Sequence, residues 1–185
     1  MAFNNMTGRP TTPATTNLII INCILLMASV VFERKGIDLT DYLGLHYYDA
    51  PRYNPLQMIS YLFMHGGFWH LFNNMFSLYM FGRLLEMVWG GGRFLMYYLV
   101  TGVGAAIVQQ IAWRYGVIGD WLASNQAHDA ALTYGQLMAA AAEQTNSLIT
   151  VGASGSVFGI LLAFGMMFPN AEILLLIPPI PLKAK

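Results

Sequence analysis

The sequence predicts an all-α membrane protein, a polytopic bundle of helices. Three observations carry this. Of the 185 residues, 56% are hydrophobic and only 10% charged, against about 25% charged in ordinary soluble domains. The mean hydropathy is +0.51. The apolar residues gather into four runs, and most charges fall in the connections between them. The net charge of zero gives no electrostatic case for nucleic acid. One cysteine, Cys23, rules out a disulfide framework or a cysteine-based metal site within the chain.

The first sixteen residues are polar and rich in Pro and Thr, so 1–16 is expected to be a cytoplasmic tail rather than a cleavable signal peptide. Residues 17–185 are expected to form one membrane domain. Its spans are 17–32, 68–88, 94–113 and about 154–168. The first and fourth hold 16 and 15 residues. At about 1.5 Å per residue both fall short of a bilayer core of about 30 Å. They need flanking residues, a thin bilayer or a protein surround.

The connections differ in kind. Residues 33–67 form a long, charged first loop whose "YYDAPRYNP" suits the membrane interface. Residues 89–93, "WGGGR", make a tight reversal. Residues 114–150 form a polar excursion with a short Ala-rich helix in "LMAAAAEQ", and His128 there is expected to be a solvated loop histidine. Pro178, Pro179 and Pro181 exclude a regular helix through the tail. With the N-terminus inside, the inner side holds five of the nine basic residues, a weak bias. Arg83 and Glu86 read as an interfacial ion pair. No internal repeat is visible, which argues against a transporter.

Polar groups at membrane depth are costly and are functional candidates by default. His70 and Asn74 are four apart, on one face of the second span. His65 precedes a Gly-Gly pair at that helix's entrance. A bland reading makes His70 and Asn74 interhelical glue, contributing about 0.6–2 kcal/mol per bond. As metal ligands the pair is poor, with no carboxylate or cysteine nearby. The reading calls for no metal and no cofactor. In "VGASGSVFGI", Gly155 and Gly159 form a GxxxG seam for close helix packing. Taken alone, the stretch favours packing, and Ser156 stands where a hydrolase elbow has glycine. Ser154, however, opens a helix behind Gly152, where free N–H groups and the helix dipole favour a developing oxyanion. With the donors His70 and Asn74 on another span, the parts of an acyl-transfer site are present.

At this point the sequence resembles the rhomboid family of intramembrane serine proteases. The resemblance rests on "FMHGGFWHLFNNM", "FGRLLE", the glycine reversal, "RFLMYYLVTGVGA" and "GASGSVFG", and covers about residues 17–185. It implies a rhomboid-type bundle with four of six expected helices. Ser154 is then the nucleophile, His70 and Asn74 assist the oxyanion, and Gly152, Gly155, Gly159 and His65 support them. It also implies transmembrane protein substrates cleaved near the non-cytoplasmic side of the bilayer, and suggests a bacterial inner membrane. It fixes no oligomeric state.

The base is missing. The resemblance places a histidine on the sixth helix, but His46, His65, His70 and His128 all precede Ser154. The expectation is a fragment, inactive alone, whose glycine seam awaits a helix the chain does not contain. The alternatives are a pseudoprotease that binds membrane clients without cutting, and His70 itself as base.

Overall fold

The computed structural model describes residues 11–120, 145–169, 172–174 and 181–183, with the single positions 123 and 136. The expected Ala-rich helix, His128, Pro178 and Pro179 lie outside the described residues.

Helix α1 spans Pro13–Glu33. It begins four residues before the apolar run, because Pro13 sits at its first turn, where a missing N–H costs nothing. Its 21 residues are long enough to cross a bilayer, which corrects the expected shortfall. Ile20, Ile24 and Met27 are exposed, as suits a lipid-facing span.

The first loop is ordered. It carries α2 (Thr40–Leu43), strand β1 (Leu45–His46), α3 (Gln57–Ser60) and a 3-10 turn, Tyr61–Phe63. The buried Gln57 ties the loop to itself: its amide donates to the carbonyls of Tyr42 and Arg52, and its oxygen accepts from the N–H groups of His46 and Asn54.

The second span runs through α4 (Phe68–Ser77), a π-helical stretch (Leu78–Gly82) and α5 (Arg83–Trp89). Gly82 lies against the Phe94 ring, where a Cβ would come within 3.1 Å of Cζ. Glu86 is buried, but it does not pair with Arg83. Its two oxygens accept the N–H groups of Ala14 (2.9 Å) and Thr15 (2.8 Å), closing the start of α1. A carboxylate at a helix N-terminus satisfies orphan donors and the dipole together. Arg83 instead donates through Nε to Thr12 Oγ1 and lies over the Tyr79 ring. The expected ion pair is thus replaced by two separate ties to the first span.

Helix α6 (Gly91–Tyr115) follows the glycine reversal and forms the centre of the bundle, in contact with α1, α3 and α5. Strand β2 (Ile149–Thr150) pairs antiparallel with β1, Leu45 facing Thr150 and His46 facing Ile149. Helix α7 (Ser154–Met167) then packs chiefly on α6. Its 14 residues remain short for a bilayer, and of the three remedies expected the structure shows a protein surround, in α6. In the tail, β3 (Glu172–Leu174) pairs with β4 (Pro181–Lys183). Phe94, Tyr98, Leu62, Leu78 and Ile160 are fully buried and mark the core.

Candidate active site

Ser154 is the first residue of α7 and half-buried. Its position follows from the glycine before it. Gly152 has φ of +125°, a left-handed conformation that residues with a Cβ avoid. Its N–H donates to the Tyr61 carbonyl at 2.9 Å. A Cβ there would lie 2.7 Å from His70 Nε2 and 3.8 Å from Ser154 Oγ. The bare α-carbon of Gly152 therefore keeps open the space on which His70 and Ser154 converge.

The orientation of the His70 ring is set from below. The Gly66 N–H points at Nδ1 (3.4 Å). An accepting Nδ1 leaves the proton of the neutral ring on Nε2. Nε2, on the Ser154 side, is then a donor. Asn74 is buried one turn on, but its amide donates to the His70 carbonyl at 2.9 Å rather than towards Ser154. His65 is buried edge-on to His70, ring centroids 5.0 Å apart. Burial, with His70 second, pushes its pKa down to about 4, although the nearby Phe63 backbone favours the charged ring. His65 is neutral at pH 7.

The glycine seam has its partner. A Cβ on Gly155 would strike the Ala105 side chain, and one on Gly159 would lie 2.7 Å from Thr101 Cγ2, both on α6. Tyr97, also on α6, donates from its hydroxyl to the Gly159 carbonyl at 2.9 Å. The expectation that the seam awaits a helix outside the chain is overturned. The face of α7 left exposed is instead Phe158, Leu162 and Met166.

The profile described as "Rhomboid domain" matches residues 53–184, more than two thirds of the chain. The chain belongs to the rhomboid family. It is similar to rhomboid protein 1, mitochondrial, of Saccharomyces cerevisiae, 29% identical over 131 residues, or 68% of this chain and 29% of that protein. It is also similar to rhomboid-like protein 11, chloroplastic, of Arabidopsis thaliana, 30% identical over 143 residues, 77% of this chain and 38% of the relative. RHOMBOID-like protein 5 of Arabidopsis thaliana is 29% identical over 105 residues, 57% of this chain and 24% of the relative. The chain thus spans well under half the length of these curated relatives. No solved structure matches. The rhomboid family and the apolar helices make this a membrane protein. Two of the three relatives are mitochondrial or chloroplastic by name, so these comparisons give the expected bacterial inner membrane no support.

Three further residues hold this rhomboid site together, and the sequence reading assigned none of them a role in it. The Tyr61 hydroxyl donates to the Gly102 carbonyl at 2.7 Å, while its own carbonyl holds Gly152. The Ser156 hydroxyl, buried, donates to the Tyr98 carbonyl at 2.6 Å. Gly102 gives that hydroxyl room, since a Cβ there would lie 2.6 Å from Ser156 Oγ. The signal that could have found Gly102 is the small-residue run "TGVGA", which permits close helix approach.

Proposed function

We propose that this chain carries the nucleophile and oxyanion donors of an intramembrane serine endopeptidase. The observation supporting it is the convergence of Ser154 Oγ and His70 Nε2 on the open side of Gly152. Ser154 Oγ attacks the carbonyl carbon of a peptide bond in a transmembrane substrate. The negative oxygen that forms is met by the Ser154 N–H, free at the helix start, and by His70 Nε2–H. The amine leaves with a proton, and water hydrolyses the acyl-serine ester.

The Gly66 bond to Nδ1 favours His70 as donor rather than base. The proton of Ser154 then needs a base elsewhere. Under this reading the 185 residues alone show no turnover, and the base is a histidine supplied from outside them. Substrates with Gly, Pro or Ser near the scissile bond are favoured, because a regular helix buries its carbonyls from attack. Putting strong helix formers there should slow cleavage.

Fluorophosphonate labelling of the protein in native membranes tests this. The label is expected on Ser154, lost in Ser154→Ala and weakened in His70→Ala. Labelling of the isolated 185 residues would make His70 the base. Client capture unaffected by Ser154→Ala, with no labelling in any form, would make the protein a binder that does not cut.

A further inference from the structure

At the membrane face where α1 begins lies a cavity of about 440 Å³, away from Ser154. It is lined by Thr11, Thr12, Thr16, Asn17, Tyr79 and Arg83, among others. One cation, four hydroxyls and an amide line this cavity, beside the exposed apolar side chains of α1 such as Ile20, Ile21 and Ile24.

The arginine is fixed in place. Its Nε donates to Thr12 Oγ1 at 3.2 Å, and its guanidinium carbon sits 4.8 Å from the centre of the Tyr79 ring. Neither contact neutralises it. Glu86, the nearest acid in sequence, spends both oxygens on the first N–H groups of α1. Asp41, in the first loop, is paired with Arg52. A half-buried guanidinium held in place without a carboxylate partner is suited to receive an anion. The α1 N–H groups do not supply the site, because Glu86 already holds those of Ala14 and Thr15.

The surroundings say which anion. Pro13 and Asn17 border both this cavity and a second one of about 450 Å³, lined by Leu18, Ile21 and Leu95 between α1 and α6. A charged, hydroxyl-lined cavity bordering an apolar, membrane-facing groove matches an amphiphile, with its head on Arg83 and a chain along α1. We propose that Arg83, Thr12 and Asn17 bind the phosphate of an anionic phospholipid, seated beside α1; the Thr16 hydroxyl donates to the Thr12 carbonyl and only borders the site. The planar guanidinium suits a phosphate because it offers two parallel donors.

Native mass spectrometry of the detergent-solubilised protein, offered equal phosphatidylglycerol and phosphatidylcholine, tests this. The wild type should retain phosphatidylglycerol preferentially. Arg83→Gln should lower that retention about tenfold, in line with loss of one charge-assisted contact. Asn17→Leu should also weaken it while sparing the Arg83–Thr12 contact, which covers the case in which Arg83→Gln fails to fold. Inorganic phosphate, added as a competitor, should displace little of the lipid. Equal retention of the two lipids, or retention unchanged in both variants, overturns the proposal. Full displacement by inorganic phosphate would assign the cavity to a soluble anion and overturn the lipid.

Discussion

Gly152 shows how much can rest on the absence of one carbon atom. Its φ of +125° is strained for any other residue, and a Cβ would enter the space between His70 and Ser154. Gly152→Ala should therefore cost about 1–3 kcal/mol of stability and abolish fluorophosphonate labelling. Wild-type labelling in that variant would show that the space is not the site. His65 makes a different prediction. Its pKa, about 4, lies below the 6.5 expected in the unfolded chain. Between those values the unfolded state binds more protons, so His65 makes stability rise with pH from about 4 to 6.5 and level off above. His65→Gln should flatten that part of the profile, read as thermal midpoint against pH in detergent. His65 and His70 could be picked from the sequence because ionisable groups beside an apolar helix are rare. That Asn74 turns to its own helix carbonyl could not, since four-residue spacing gives the face but not the bond.

At the level of elements, the site depends on the fit of α7 to α6. Gly159→Val would push methyl groups into Thr101 and should cost about 1–3 kcal/mol. Thr101→Ala in the same chain should return part of the loss, a coupling that a double-mutant cycle measures. Leu162→Ala, on the exposed face, should leave stability in detergent nearly unchanged. A second tie runs through the first loop. Gln110, buried on α6, accepts the Tyr48 N–H at 2.9 Å and donates to the His46 carbonyl at 2.7 Å. It thereby fixes β1, which pairs with β2 two residues before Gly152. Gln110→Leu strands two backbone groups and should cost about 1–3 kcal/mol, with slower labelling of Ser154. The GxxxG spacing announced a close helix contact, but not its partner. Spacing describes one surface, and the matching surface on α6 is set by how the spans are arranged.

For the whole molecule, Glu86 joins the first span to the second at one membrane face. Glu86→Ala frees the N–H groups of Ala14 and Thr15, the first half-buried and the second fully buried. A loss of about 1–3 kcal/mol is expected, read as a lower thermal midpoint with α1 more open to proteolysis. The three-residue spacing of Arg83 and Glu86 suggested a mutual pair because only the local helix was in view. In the bundle, a helix start with unmet donors lies nearer to the carboxylate, and a buried carboxylate takes the partners that replace its lost water.

The sequence by itself determined that this is a helical membrane protein, where its apolar runs lie, and the motif set that places it among rhomboids. Those features are written in composition and spacing, and they survive any arrangement of the helices. The tertiary structure decided which surfaces meet. It set α6 against the Gly155–Gly159 seam, Glu86 against the start of α1, and the first loop against the segment leading into Ser154. Such contacts join residues tens of positions apart, and each depends on the placement of every other helix, so no local pattern can encode them.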